Sequence, residues 1–162
     1  MLNFARLIKH MKLPLLSGLF IASLFLFMVS CSKEEDYAAR DKQIIEDYLA
    51  AKGLVATATP EGVYYLIEDA GGSTHPSVYS TVKVHYKGYL TDGTVFDQTS
   101  GTAASFTLAN TIAGWQIGIP KFGKGGKGKL FIPSDYGYGS SSTDEIPAHS
   151  VLIFDIVLSD FY

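Results

Sequence analysis

Strand-like runs of period two, Gly- and Asp-rich turns between them and one short helical stretch in their midst predict an α+β domain built on antiparallel strands. The 162 residues suit one modest domain with an extension rather than two full domains. At 47% hydrophobic and 18% charged, the chain carries enough apolar material for a core, which excludes disorder throughout.

The N-terminus reads as an address. Arg6, Lys9 and Lys12 precede an uncharged run, Leu13 to Ser30, rich in Leu, Phe and Ile. Ser30 is followed by Cys31, the single cysteine, and Met28-Val29-Ser30-Cys31 resembles a bacterial lipoprotein box that departs at its first position. The resemblance implies that Cys31 is the lipidated first residue of the mature chain. It places the domain in the bacterial cell envelope, lipid-anchored to the outer membrane on its periplasmic or surface face. The alternative is one uncleaved anchor, barely long enough for ~30 Å of hydrocarbon. Met11 is a second plausible start. Ser32-Lys33-Glu34-Glu35-Asp36 reads either as an acidic export tag or as a solvated helix entrance suited to the dipole. The expected division is 1–30 signal segment, 31–61 anchor cysteine, acidic linker and helix, and 62–162 the folded domain.

Tyr37 to Ala51 has helical spacing, with Ile44, Ile45, Tyr48 and Leu49 on one stripe and Lys52-Gly53 as a stop. Such a helix spaces the domain from the membrane, packs on it, or forms a dimer contact; the sequence does not choose, and nothing in it sets an oligomeric state. Val63 to Ile67 is β-branched and aromatic and ends in the turn cluster Asp69-Ala70-Gly71-Gly72. Val82, Val84 and Tyr86 alternate with Lys83, His85 and Lys87, a strand with one wet face. Asp92-Gly93 turns into Thr94-Val95-Phe96, and Phe106 alternates with Leu108. A short helix is expected near Thr111 to Ile119, on the concave side of the sheet. Lys129 to Ile132 and Val151 to Leu158 complete the strands, with Leu152, Phe154, Ile156 and Leu158 on one face.

Several chemistries drop out. The formal charge is −3, and beyond residue 30 ten basic residues face sixteen acidic ones, against a general nucleic-acid binder. Gly123-Lys124-Gly125-Gly126-Lys127-Gly128-Lys129 fits seven positions of a phosphate-binding P-loop. The eighth is Leu130 rather than Ser or Thr, and Leu130 to Ile132 is a strand ending at Pro133, so nucleotide binding is rejected. His10, His75, His85 and His149 show no metal-type spacing, and one cysteine nearly excludes a cysteine-based zinc site. His149, Ser150 and Asp155 are the residue types of a hydrolase triad, but no nucleophile elbow accompanies them. There remains the aromatic density: ten Tyr, ten Phe and one Trp, most of them suited to a core. Tyr86, Phe96, Trp115, Tyr138 and Phe154 fall at turns, on strand faces or just past glycine. Their convergence would make an aromatic-walled cleft, a binding site by default.

Five segments come in an informative order. They are Val84-His85-Tyr86-Lys87-Gly88-Tyr89-Leu90, Asp92-Gly93-Thr94-Val95-Phe96-Asp97, Ile112-Ala113-Gly114-Trp115, Ile132-Pro133-Ser134-Asp135-Tyr136-Gly137-Tyr138-Gly139, and Ile146-Pro147-Ala148-His149-Ser150-Val151-Leu152-Ile153-Phe154-Asp155. From about Gly62 to the C-terminus the chain strongly resembles the FKBP-type peptidyl-prolyl cis-trans isomerases. The resemblance implies a twisted antiparallel sheet wrapped around one short α-helix. It also implies rotation about X-Pro bonds in proline-containing segments of exported proteins, a reaction that needs no nucleophile, metal or cofactor. Position by position, it makes Trp115 the pocket floor and Tyr86, Phe96 and Phe154 its walls. Ile112 offers its N–H to a ligand carbonyl, with Thr111 beside it among the substrate-binding residues. Tyr138 donates to the carbonyl next to the proline, Asp97 is the rim carboxylate, and Ile146 closes the pocket from the long loop.

The chain also departs from the family pattern. The stretch between Phe96 and Phe106 is short and lacks the arginine that commonly partners the aspartate, leaving Asp97 freer. Ala104 stands near where many members have a further pocket aromatic. The Ser140 to Glu145 loop is Ser-rich, without histidine or proline. The competing reading is a non-catalytic binding module or chaperone that uses the cleft to hold client segments or a partner.

Overall fold

A computed structural model describes residues 36–162. The expected signal segment, 1–30, and Cys31 lie outside the described residues. Helix α1 (Tyr37–Lys52) begins at Asp36, whose carboxylate accepts the Ala39 N–H at 3.1 Å, and ends at Gly53 with φ 62°. There the Leu54 N–H reaches back to the Leu49 carbonyl at 2.9 Å, a left-handed cap that glycine adopts without a Cβ clash.

Seven strands come after it: β1 (Thr57–Ala58), β2 (Tyr64–Asp69), β3 (Thr81–Tyr89), β4 (Val95–Gln98), β5 (Ala104–Thr107), β6 (Lys127–Ile132) and β7 (Leu152–Phe161). Helix α2 (Ala113–Gly118) lies between β5 and β6. The strands form one antiparallel sheet in the order β1-β2-β6-β7-β3-β4, and β5 also pairs with β3. β4 takes the Lys87–Tyr89 end of β3 and β5 its Thr81–Val84 end, so together they make one interrupted edge.

The fold is the α+β architecture expected: a twisted antiparallel sheet around one short helix. Strand alternation divides the apolar residues between two faces. Val82, Val84, Leu130, Ile132, Leu152, Phe154, Ile156 and Leu158 pack with Trp115 and Ile119 on the concave face. Helix α2 comes close there because Gly114 and Gly118 lack side chains. A Cβ on Gly114 would lie 2.3 Å from Ile132 Cγ2, and one on Gly118 2.6 Å from Leu130 Cδ2.

The opposite face carries Tyr64, Phe131, Val151 and Ile153, and α1 covers it with Ile45 and Leu49. Burying each of these two side chains contributes about 1.5–3 kcal/mol. Of the three roles open to this helix, the structure shows packing: α1 and the sheet form one compact unit, Asp36–Tyr162. The two-residue β1 is too short to show a period in the sequence. The P-loop-like segment is a turn at Lys124–Gly125 that enters β6 as a strand. No helix among the described residues is long and apolar enough to cross a membrane.

Candidate functional site

The concave parity of β3 carries Val82, Val84 and then Tyr86, and that of β7 carries Phe154. Where these strands pass the start of α2, their rings meet Trp115. Tyr86 stands edge-on to Trp115 at 5.2 Å, Phe154 at 5.4 Å and Phe106 at 5.5 Å, while Phe96 packs edge-on to Phe154 at 5.5 Å. Perpendicular rings place positive edges against negative faces, which favours this arrangement beyond burial alone. Gly88 makes the space: a Cβ there would lie 2.5 Å from the Phe96 ring and 2.8 Å from that of Phe154.

These rings enclose an open cavity of about 230 Å³. Cavities of about 290 Å³ lie beside Arg40 and His149 and beside His85 and Lys129, but neither has aromatic walls around an apolar floor.

The polar groups at the cavity are few. The Tyr86 hydroxyl donates to Asp97 Oδ2 at 2.6 Å. Burial, and then this carboxylate, push the Tyr86 phenol well above its ordinary value of 10.0, so it remains a donor. Asp97 is exposed and makes no ion pair among the described residues; tyrosine, not arginine, holds it. The Tyr138 side chain is 43% exposed at the mouth, and its hydroxyl has no partner within the described residues.

Ile112 lines the cavity just before α2, and its N–H donates to no protein acceptor among the described residues. The turn that presents it is braced. Thr111 Oγ1 donates to the Leu108 carbonyl at 2.7 Å, and Gln116 Nε2 to the Thr111 carbonyl at 2.9 Å. The Trp115 indole nitrogen is buried without a partner among the described residues.

The structure thus brings Tyr86, Phe96, Asp97, Thr111, Ile112, Trp115, Tyr138 and Phe154 to one cavity. Ile146 does not reach the lining. It is 4% exposed and packs in the concave core, where it anchors the long loop from beneath. Cys31 lies outside the described residues.

Two further residues, Phe106 and Asn110, line the cavity without belonging to the segments that carry the resemblance. Phe106 had a legible signal. It shares the face of Ala104 on β5, where the register sets Ala104 opposite Val84 and Phe106 opposite Val82. The aromatic missing at 104 is therefore supplied two residues on. Asn110 ends a single 3₁₀ turn, Leu108–Asn110, and carried no pattern. Among the described residues no three His, Cys, Asp or Glu side chains gather as a metal site.

The family model for FKBP-type peptidyl-prolyl cis-trans isomerases matches residues 72–159. The FKBP-type peptidyl-prolyl cis-trans isomerase FkpA of Aeromonas hydrophila is 39% identical over 131 residues, covering 78% of this chain and 49% of that protein. The outer membrane protein MIP of Legionella longbeachae is 35% identical over 129 residues, 78% of this chain and 54% of that one. The crystal structure of FkpA from Escherichia coli superposes with a TM-score of 0.69 at 34% identity, covering 93% of this chain and 74% of that one. The chain spans about half the length of these sequence relatives.

Proposed function

This chain belongs to the FKBP-type peptidyl-prolyl cis-trans isomerase family, and from that membership we propose that it accelerates X-Pro rotation in proline-containing segments of exported proteins. The observation that carries the reading is the Trp115-floored cavity with Asp97, Tyr138 and the Ile112 amide at its edge.

Uncatalysed rotation must break amide resonance, a barrier of ~18–20 kcal/mol, and takes tens to hundreds of seconds. A twisted amide has lost that resonance and is less polar than a planar one. Walls of Tyr86, Phe96, Phe106 and Phe154 therefore favour the twisted form over the planar one more than water does. The proline ring would rest on Trp115. The Ile112 N–H and Tyr138 hydroxyl, both without acceptors among the described residues, would take up the flanking carbonyls and hold the chain in a turn that aids rotation. Asp97 would keep the Tyr86 hydroxyl turned to the rim and supply the carboxylate there. No bond is made or cut, so these residues act by shape and hydrogen bonding alone.

The test is isomerisation of a short Xaa-Pro peptide by the purified protein, with Phe96→Ala as the control. Acceleration lost in the control supports the reading. A folded protein without acceleration would move the assignment to a module that only holds proline-containing segments.

Location forms the second half of the proposal: a lipid on Cys31 tethers the domain in the bacterial envelope, at the outer membrane. The basic, apolar and Ser30-Cys31 pattern supports this, as does the similarity to a protein named for the outer membrane. Cys31→Ser should abolish metabolic lipid labelling and release the protein from membranes. A mature N-terminus other than a lipidated Cys31, read by mass spectrometry, would overturn it.

A further inference from the structure

We propose that α1 serves the reaction through Tyr138, by closing a ring of hydrogen bonds around the base of the Ser134–His149 loop. Asp41 is 1% exposed, on the stripe that Ile45 and Leu49 continue. Its Oδ2 accepts the Ser134 N–H at 2.7 Å, and its Oδ1 accepts Arg40 Nη2 at 2.7 Å and Nε at 3.1 Å. Arg40 Nη2 also donates to the His149 carbonyl. Within the loop the His149 N–H donates to the Gly139 carbonyl at 2.8 Å, and the Gly139 N–H to the Ser134 carbonyl at 2.8 Å. The circuit Asp41, Ser134, Gly139, His149, Arg40 is therefore complete, and Tyr138 sits inside it, one residue before Gly139.

Two further observations mark the closing point. Tyr37 stacks on the His149 ring at 3.7 Å and 5°, with the Arg40 guanidinium 4.5 Å from the Tyr37 centroid. His149 is also the non-glycine residue with positive φ among the described residues, at 56°, a conformation that persists where surrounding contacts hold it.

The need is physical. Residues 140–145 are exposed and polar, and Ile146 is the buried side chain in that stretch, so core packing alone fixes little of the loop. An apolar residue at 41 would extend the helix stripe but leave the buried Ser134 N–H and the Arg40 guanidinium without their acceptor, so the carboxylate answers to these partners rather than to the stripe. The buried Asp41 carboxylate, with the partly exposed Arg40, fixes a register instead. Here the register is that of the loop carrying Tyr138. Arg40 and Asp41 are positioning residues, since neither lines the cavity.

The effect on turnover rests on the isomerase reading; the ring itself does not. The full chain is compared with Arg40→Ala and Asp41→Ala by amide hydrogen exchange and by peptide isomerisation. Arg40 is partly exposed, so its variant decides the matter if Asp41→Ala fails to fold. Exchange at Gly139 and His149 should quicken about tenfold or more while β3 and β7 amides keep their rates. The kcat/KM should fall about three- to tenfold, and adding Tyr138→Phe should cost less than it does in the wild type, as coupled residues do.

Unchanged exchange in a folded Arg40→Ala overturns the ring. Faster exchange with unchanged kcat/KM, or with a Tyr138→Phe cost that simply adds, overturns the positioning role. Should the wild type itself fail to isomerise, the isomerase reading and the positioning role fall together, and exchange alone still decides the ring.

Discussion

Asp97 and Tyr138 are the residues whose removal reports on the site with little risk to the fold, because both are exposed. Asp97 takes a charge-assisted hydrogen bond from Tyr86, a class worth about 1.5–3 kcal/mol. Asp97→Ala frees the Tyr86 hydroxyl and removes the rim carboxylate, so kcat/KM should fall by about tenfold or more with circular dichroism unchanged. Tyr138→Phe removes one neutral donor of about 0.5–1.5 kcal/mol, so a loss of about two- to tenfold is expected. Wild-type turnover in Asp97→Ala would count against its place in the mechanism. Gly88 offers a third handle, because a Cβ there meets both the Phe96 and Phe154 rings. Gly88→Ala should raise KM by displacing those walls, and a KM at the wild-type level would show that the rings do not bound the substrate.

At the scale of elements, each helix covers one face of the sheet, and each contact has a sensitive point. Gly114 lets α2 approach Ile132; a Cβ would lie 2.3 Å from Cγ2 and 2.7 Å from Cδ1. Overpacking of this kind costs about 1–3 kcal/mol, so Gly114→Ala should lower the denaturant midpoint. Ile132→Val, which removes Cδ1, should recover part of the loss, and a double variant no better than the single would discount the contact. On the other face Ile45 is fully buried, and Ile45→Ala should cost about 2–5 kcal/mol. Stability unmoved by that change would mean that α1 does not belong to the cooperative unit.

For the molecule as a whole, three tyrosines link stability to alkaline pH. Burial and neighbouring carboxylates hold the Tyr64, Tyr86 and Tyr89 phenols above their ordinary value of 10.0. In the unfolded chain they ionise near ~10. Below that pH both states are protonated and the contribution is fully present; above it the unfolded state loses protons first, so stability falls as pH rises. Denaturation midpoints should be insensitive to these groups up to about pH 9 and decline beyond about 10, less steeply in Tyr89→Phe. The same slope in that variant would remove Tyr89 from the linkage.

Much of this was legible in the chain because it is local or periodic. Val82, Val84 and Tyr86 against Lys83, His85 and Lys87 declare two faces before any partner strand is known. The ordered segments from Val84 to Asp155 declare the family and, through it, most of the cavity lining. The sequence by itself determined most of the strands and turns and which side of the longer strands is apolar. It did not show the two-residue β1, and Leu108, expected in a strand with Phe106, opens a 3₁₀ turn instead.

The tertiary structure decided which of the two faces each helix covers, that α1 packs on the sheet, and that Phe106 serves where Ala104 does not. It also decided the partners of Asp41. An acid between Arg40 and Lys42 looks like one more solvated charge until Ser134, 93 residues away, brings its amide to it. Pairings across such separations leave no period in the sequence. They exist only once the sheet has closed the loop between them.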